Sequence, residues 1–201
     1  MTDARIGRLL IASLHQGILE TMPMRVEFYE HWLSPTGLRE GRMGVAALNA
    51  ALSFLRKEGE PTYHQVMTRA GQSAAAWTFV GISSIRRSLT SRLPTSWRVR
   101  AAMRVARRLV KDTFLETRLK TRMRRRGGAL RLRNSIFCET RQVSAETLCV
   151  YYAAAIAHLL ALYGVDADVT VSECKAGGHP HCTLNVEIRG ARLAVSAVEA
   201  A

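Results

Sequence analysis

The sequence predicts an α+β fold with a helical amino-terminal half and an antiparallel sheet packed against helices. Apolar residues recur at helical spacing up to about Met123, whereas apolar and polar residues alternate after Gly128, as they do in half-buried strands. We divide the 201 residues into a helical part over 1–93 and a second part over 94–201, which holds a long basic helix and an α+β domain. We expect the two parts to form one compact unit.

Helices are predicted throughout the first part. They cover Ala4–Met22, Met43–Arg56 and a segment that begins near Pro61. Proline suits the first turn of a helix, because that turn leaves its N–H groups unbonded in any case. The small residues Ala74–Ala76 favour close packing between helices. The segment Gly81–Leu93 is predicted to be a polar, basic connection.

A long basic helix is predicted from Pro94 to about Met123, with Gly127-Gly128 ending it. At about 100° per residue its cations fall in a narrow stripe and the rest of its surface is largely apolar. The stripe contains Arg100, Arg104, Arg107, Lys111, Arg118, Arg122 and Arg125. We therefore expect a mostly buried helix with one cationic edge.

The last third alternates between strands and one apolar helix. Strands are predicted at Leu130–Ile136, Asp168–Cys174 and His181–Arg189, and a helix at Ser144–Tyr163. The turn Gly177-Gly178-His179-Pro180 joins the last two strands into a hairpin. This arrangement predicts an antiparallel sheet.

The formal net charge of +13 implies an anionic partner such as nucleic acid, lipid headgroups or an acidic small molecule. No run reaches the roughly 18 apolar residues that a transmembrane helix needs, and the amino terminus does not resemble a secretory signal. We expect a cytoplasmic protein, with a peripheral position at an anionic membrane surface as an option. Nucleic acid is not favoured, since zinc-finger spacing and aromatic stacking motifs are missing from the sequence.

All four cysteines lie in the last third of the chain. In a reducing compartment they are expected to be thiols or metal ligands. Cys149, Cys174 and Cys182 could supply three of the four ligands of a zinc ion. The fourth ligand is left open among Cys138, Glu173, His179 and His181. The alternative is that these are buried free thiols that pack as small hydrophobic side chains.

The hairpin and the preceding helix resemble the 4-vinyl reductase domain family. The similarity lies in Val169–Cys174, in Cys182–Val186 after the Gly-Pro turn, and in Cys149-Val150-Tyr151-Tyr152, which is most similar to the bacteriochlorophyll 4-vinyl reductase branch. It covers about a third of the chain, from Gly128 to Gly190.

The resemblance implies the fold of transport-particle subunits, with an apolar pocket between sheet and helices. It also implies a zinc held by cysteines and a Glu, as in the hydrocarbon-binding sensor domains of this family. Those relatives carry the Glu three residues before the first hairpin cysteine, where this sequence has Val171.

We expect the pocket between the Ser144–Tyr163 helix, the sheet and the long basic helix. Tyr151, Tyr152 and Phe114 are the candidate apolar contacts, and Arg104 and Lys111 would hold a carboxylate. The ligand would be an apolar molecule, for example a tetrapyrrole, and the protein its carrier or sensor.

Two other functions remain open. One is a vinyl reductase in bacteriochlorophyll biosynthesis, although the sequence has no glycine-rich dinucleotide fingerprint, P-loop or nucleophile elbow. The other is a DNA-associated regulator. A second copy of the chain is a further possible partner.

Overall fold

The computed structural model describes residues 5–33, 44–124, 126–139, 144 and 146–191. Its helices are α1 (Arg8–Thr21), α2 (Val26–Leu33), α3 (Val45–Lys57), α4 (Glu60–Val80), α5 (Ser84–Ser91), α6 (Thr95–Thr113) and α7 (Val150–Leu162). Its strands are β1 (Arg118–Arg124), β2 (Gly127–Arg133), β3 (Val165–Glu173) and β4 (Cys182–Ala191). The α+β class and the helical amino-terminal half are confirmed. Within these residues no helix combines the length and apolar character needed to cross a bilayer.

The strands form one antiparallel sheet in the order β1-β2-β4-β3. Side chains alternate between its two faces, as the sequence pattern requires. Leu130, Leu132, Leu184 and Val186 are buried on the inner face, against the helices. The outer face is exposed, so the antiparallel sheet predicted from alternation is confirmed.

The expected long helix is shorter than the sequence suggested. Helix α6 ends at Thr113, and Phe114 is already extended. From Leu119 onward buried or half-buried residues alternate with exposed cations, a strand period, and β1 pairs with β2 across the Gly127 turn. The extension to Met123 was therefore wrong, and Gly127-Gly128 belong to a hairpin instead of a helix end.

The shorter helix divides the predicted cationic stripe. Arg100, Arg104, Arg107 and Lys111 are exposed on α6, whereas Arg118 and Arg122 lie on β1, and Arg125 is outside the described residues. On the outer sheet face β1 and β2 together expose six cations: Arg118, Lys120, Arg122, Arg124, Arg131 and Arg133. We call these six residues the basic sheet face.

Two further expectations need correction. Residues 84–91 within the expected polar connection form α5, because Ile85 and Leu89 are one helical turn apart. Helix α7 begins at Val150 instead of Ser144, and the Ser144 hydroxyl accepts a hydrogen bond from the Glu146 N–H at 3.2 Å without starting a helix.

Helix α4 lies at the centre of the core and packs against both α1 and α7. Two glycines allow these helices to approach closely. A Cβ at Gly71 would overlap the carbonyl oxygen of Tyr151 on α7, and one at Gly17 on α1 would overlap that of Val66 on α4. The close helix packing expected around Ala74–Ala76 extends along α4, where all three alanines are buried.

We predict that Gly71→Val lowers the free energy of unfolding by about 3 kcal/mol, because the added side chain forces α4 and α7 apart. Gly81→Ala is the matched control. Gly81 has an ordinary helical φ of −65° and its new Cβ would come no closer than 3.5 Å to a neighbour. That variant should change the stability by less than about 0.5 kcal/mol in urea unfolding. Equal effects of the two substitutions would contradict the close approach.

Candidate metal centre and ligand cavity

Four cysteines from separate segments meet between the sheet and α7. Cys138 ends a short 3-10 turn that follows β2, and Cys149 is the residue that precedes the first turn of α7. Cys174 follows β3 and Cys182 begins β4, so the hairpin brings these two to its closed end. Cys182 pairs with Leu132 near the end of β2, which brings Cys138 within reach. All four are buried free cysteines.

The distances between the sulfurs are close to, and mostly a little shorter than, those of four ligands around a single ion. The Cys138 Sγ lies 3.1 Å from that of Cys149 and 3.4 Å from those of Cys174 and Cys182. The Sγ atoms of Cys149 and Cys182 are 3.2 Å apart, and all four sulfurs lie within 4.8 Å of one another. Thiolates about 2.3 Å from a tetrahedral zinc would be about 3.8 Å apart. The cluster therefore has the size of a mononuclear site with four sulfur ligands.

The four cysteines form hydrogen bonds with one another inside the cluster. Hydrogen bonds from the other three thiols hold the pKa of Cys174 well below its ordinary value. Cys149 has a raised pKa because of its hydrogen bonds to the same partners and because of its burial. The backbone N–H of Lys175 also donates to the Cys182 sulfur at 3.3 Å. The hydrogen bonds within the cluster thus lower the pKa of Cys174 and Cys182 and raise that of Cys138 and Cys149. A bound cation would favour the thiolate form of all four.

The other candidates for the fourth ligand lie outside this cluster. Glu173 is exposed and accepts a hydrogen bond from Thr183 Oγ1 at 2.7 Å, an interaction that lowers its pKa. His179 is exposed and His181 is half-buried. Among the described residues, the side chains placed to bind a metal ion here are those of the four cysteines.

Polar contacts outside the cluster fix the position of Cys149. The buried Tyr63 hydroxyl on α4 donates to the carbonyl of Leu148 at 3.0 Å. On the other side, Ser135 Oγ lies 3.4 Å from the Cys149 sulfur. The residue before α7 is thus held by the central helix and by the segment that follows β2.

A cavity of about 810 Å³ lies between α4, α5 and α6. Its walls are mainly apolar and carry several arginines. It is lined by Leu9, Trp77, Thr78, Gly81, Ile82, Arg86, Leu89, Thr90, Ala101, Arg104, Val105, Arg108, Asp112 and Tyr163. Burial raises the pKa of Tyr163, while the nearby Arg104 guanidinium acts to lower it.

The cavity is not in the expected place. Tyr151, Tyr152 and Phe114 are fully buried in the core, where both tyrosine rings pack against Phe137. Their hydroxyls contact other helices: Tyr151 lies 2.9 Å from Ser13 Oγ, and Tyr152 lies 3.3 Å from Thr113 Oγ1. The residues expected to form the apolar wall therefore fill the interface between α7, α6 and the sheet.

Two cations were expected to hold a carboxylate. Arg104 lines the cavity, whereas Lys111 is exposed and is not among the residues that line it. Sequence analysis missed Trp77, Arg86 and Leu89. The apolar residues Ile85 and Leu89 are spaced for a helix in an otherwise basic segment, and this spacing was the available signal.

Comparison with known proteins supports the fold. No family model and no curated protein matches the chain. Among solved structures it is similar to an H-NOX protein from S. oneidensis in the Fe(II)NO ligation state. The match has a TM-score of 0.55 and 14% sequence identity, and it covers 92% of this chain and 100% of the other. At that identity the likeness shows a shared α+β fold and does not single out the 4-vinyl reductase family.

We predict that Tyr63→Phe lowers the free energy of unfolding by about 1 to 2 kcal/mol, because it leaves the Leu148 carbonyl without its partner in the core. Tyr163→Phe is the control, since the phenol of Tyr163 lies at the cavity wall and not at Leu148. Guanidinium unfolding of both variants tests the difference. If Tyr63→Phe leaves the free energy of unfolding unchanged, the hydrogen bond does not hold the segment before α7.

Proposed function

We propose that this chain is a small-molecule-binding domain, acting as carrier or sensor, that holds an apolar carboxylic acid in the cavity between α4, α5 and α6. The cavity itself carries this proposal. Ligand pockets measure about 300–1,000 Å³ and combine apolar walls with a few polar groups, and this one fits that description at about 810 Å³. The likeness to the H-NOX protein adds only that the same fold occurs in a protein whose structure is in the Fe(II)NO ligation state.

The charges on the cavity wall favour an anionic ligand. Arg108 forms an ion pair with Asp112 at 3.4 Å. Arg86 and Arg104 have no carboxylate partner among the described residues, and both line the cavity. A guanidinium binds a carboxylate with two parallel hydrogen bonds. A ligand with an apolar body and a terminal carboxylate would therefore fit, and a tetrapyrrole acid is one example.

A binding role is preferred to vinyl reduction. Reduction needs a hydride donor, and the sequence has no glycine-rich dinucleotide fingerprint. The cavity lining contains Asp112 as its one described carboxylate, and Arg108 neutralises that group. The features that support the proposal serve to bind and orient a ligand. The reductase alternative is supported only by the resemblance of the hairpin to the 4-vinyl reductase family.

We propose further that the four cysteines hold one zinc ion, with Cys138 as the fourth ligand. The observation that supports this is the mutual approach of all four sulfurs in a buried site. Sites with four cysteines and no open position are structural. The ion would join the end of β2, the start of α7 and the β3–β4 connection, and would act on stability more than on ligand chemistry.

We predict that Cys138→Ser removes most of the zinc, whereas Glu173→Gln leaves one zinc per chain. The reason is that Cys138 lies among the sulfurs and Glu173 is exposed and bonded to Thr183. Elemental analysis of untagged protein measures the metal, and Co²⁺ substitution should add thiolate-to-metal absorption in the wild type. Retention of zinc by Cys138→Ser, or iron in place of zinc, would contradict the assignment.

We predict that protoporphyrin IX and a long-chain fatty acid, used as probes, quench or shift the tryptophan fluorescence of the protein, because Trp77 lines the cavity. Arg104→Gln should weaken binding of the acid forms by about tenfold or more, the effect of losing a hydrogen bond to a charged group. Arg107→Gln is the matched control, because Arg107 donates to Thr121 on β1 instead of lining the cavity. The methyl esters should bind wild type and Arg104→Gln equally. If neither probe binds, the cavity is not a site for apolar acids.

A further inference from the structure

Helix α5 exposes an apolar surface that its own chain does not cover. None of its eight residues, all of which the structure describes, is buried. Ile85 is 72% exposed and Leu89 62%, and Trp97 on α6 is 53% exposed. Exposed apolar patches of this kind mark sites of contact with proteins, membranes or ligands.

These side chains lie on α5 and α6, two of the helices that line the cavity. Ile85 and Leu89 lie one turn apart on α5 and share a shallow groove with Arg92. Leu89 also lines the cavity, together with Ala101 of α6. Trp97 stands one helical turn before Ala101 and so lies on the same side of α6. We call Ile85, Leu89 and Trp97 the mouth patch.

The stretch of sequence that carries the mouth patch is strongly positive, and Asp112, the one described carboxylate on the cavity wall, is paired with Arg108. Between Glu60 and Asp112 the sequence has no Asp or Glu. The same stretch has ten Lys and Arg residues: Arg69, Arg86, Arg87, Arg92, Arg98, Arg100, Arg104, Arg107, Arg108 and Lys111. Arg100 lies over the Trp97 ring at 5.5 Å, so cation and indole are presented together. A partner that covers this patch must be apolar in its interior and negative at its surface.

We propose that the mouth patch docks on the surface of an anionic lipid bilayer. Short amphipathic helices with Leu, Ile or Trp on one face and Arg on the other bind at the boundary between headgroups and acyl chains. Trp is enriched at that level of the membrane. The exposed cations beside the patch, Arg86, Arg92 and Arg100, would contact lipid phosphates.

The observations favour a bilayer over nucleic acid at this surface. A nucleic acid backbone requires cations but offers nothing to cover Ile85 and Leu89. The basic sheet face has the opposite character, with six exposed cations and no large exposed hydrophobic residue among its described strands. That face therefore provides a control of similar charge without the apolar component.

Docking would place the cavity mouth at the membrane surface. An apolar ligand could then pass between bilayer and cavity without crossing water. This consequence rests on the proposed ligand-binding function, whereas the docking itself does not. Probe binding in vesicle-free buffer and vesicle binding without probe therefore fail or succeed separately.

The test is vesicle flotation of the full chain with phosphatidylglycerol-containing and pure phosphatidylcholine vesicles. Wild type should float with the anionic vesicles only, and the emission of Trp97 should shift to the blue. Ile85→Ser combined with Leu89→Ser should weaken binding by roughly tenfold or more, because two apolar anchors are lost. Both residues are exposed, so circular dichroism and melting temperature should stay as in the wild type.

The matched control replaces two cations of the basic sheet face, Lys120→Gln and Arg122→Gln, and should weaken binding far less than the paired serine substitutions. The proposal is overturned if the control abolishes flotation while the serine variant binds normally, since the contact would then be electrostatic and on the sheet. It is also overturned if the wild type is a dimer that the serine variant makes monomeric and neither floats. Loss of duplex DNA binding in the serine variant without any vesicle binding would contradict it as well.

Discussion

Four sulfur atoms meet where β2, the β3–β4 connection and α7 come together, and that meeting fixes the path of the chain through the sheet half of the protein. The loop from Cys138 to Cys182 contains α7 and β3, and its two ends are joined at the cluster. Closing such a loop costs conformational entropy that grows slowly with its length. A shared ion or a network of thiol hydrogen bonds offsets this entropy cost. Because all four cysteines meet at one place, the same interaction holds the end of β2, the start of α7 and the β3–β4 connection.

The sheet contains a local conflict that the rest of the core must overcome. Arg118 lies directly opposite Arg133, and Lys120 opposite Arg131. Like charges in cross-strand pairs destabilise a sheet. Leu119, Leu130 and Leu132 are buried on the other face of the same two strands, and their burial offsets the repulsion. The exposed edge strand β1 is consequently charged, which discourages pairing with other chains.

The helical front half and the strand-helix-hairpin order were predictable because each has a clear period in the sequence. The passage from α6 to β1 was not. Cations at 118 and 122 fit the helical stripe as well as the strand alternation. The alternation of the cations at 118, 120, 122 and 124 with Leu119, Thr121 and Met123 is what separates the two. Helix α5 was hidden by its composition, since six of its eight residues are Ser, Thr or Arg at positions that also suit a loop.

For the cysteine cluster and the ligand cavity, the sequence predicted the types of residue better than their positions in the fold. Cys149, Cys174 and Cys182 could be grouped from the hairpin and the helix that precedes it, but nothing local marked Cys138, which reaches the cluster through the β2–β4 register. Tyr151 and Tyr152 looked like pocket residues because aromatic side chains on an apolar helix suit either a ligand or a core. Only the packing of α1, α4 and α6 around α7 decides that they are core.

The hydroxyl groups of the core tyrosines have a consequence for how the helices find their places. Tyr63, Tyr151 and Tyr152 each bring one polar atom into an apolar interior, and each meets its partner on a different segment: Leu148, Ser13 and Thr113. If α1 or α6 moved along α7 by one turn, new apolar contacts would largely replace the old ones. A buried tyrosine hydroxyl, however, would lose its hydrogen-bond partner. The three tyrosines thus specify the alignment of the helices more than they stabilise the contact between them, because only one alignment gives all three hydroxyls a hydrogen-bond partner.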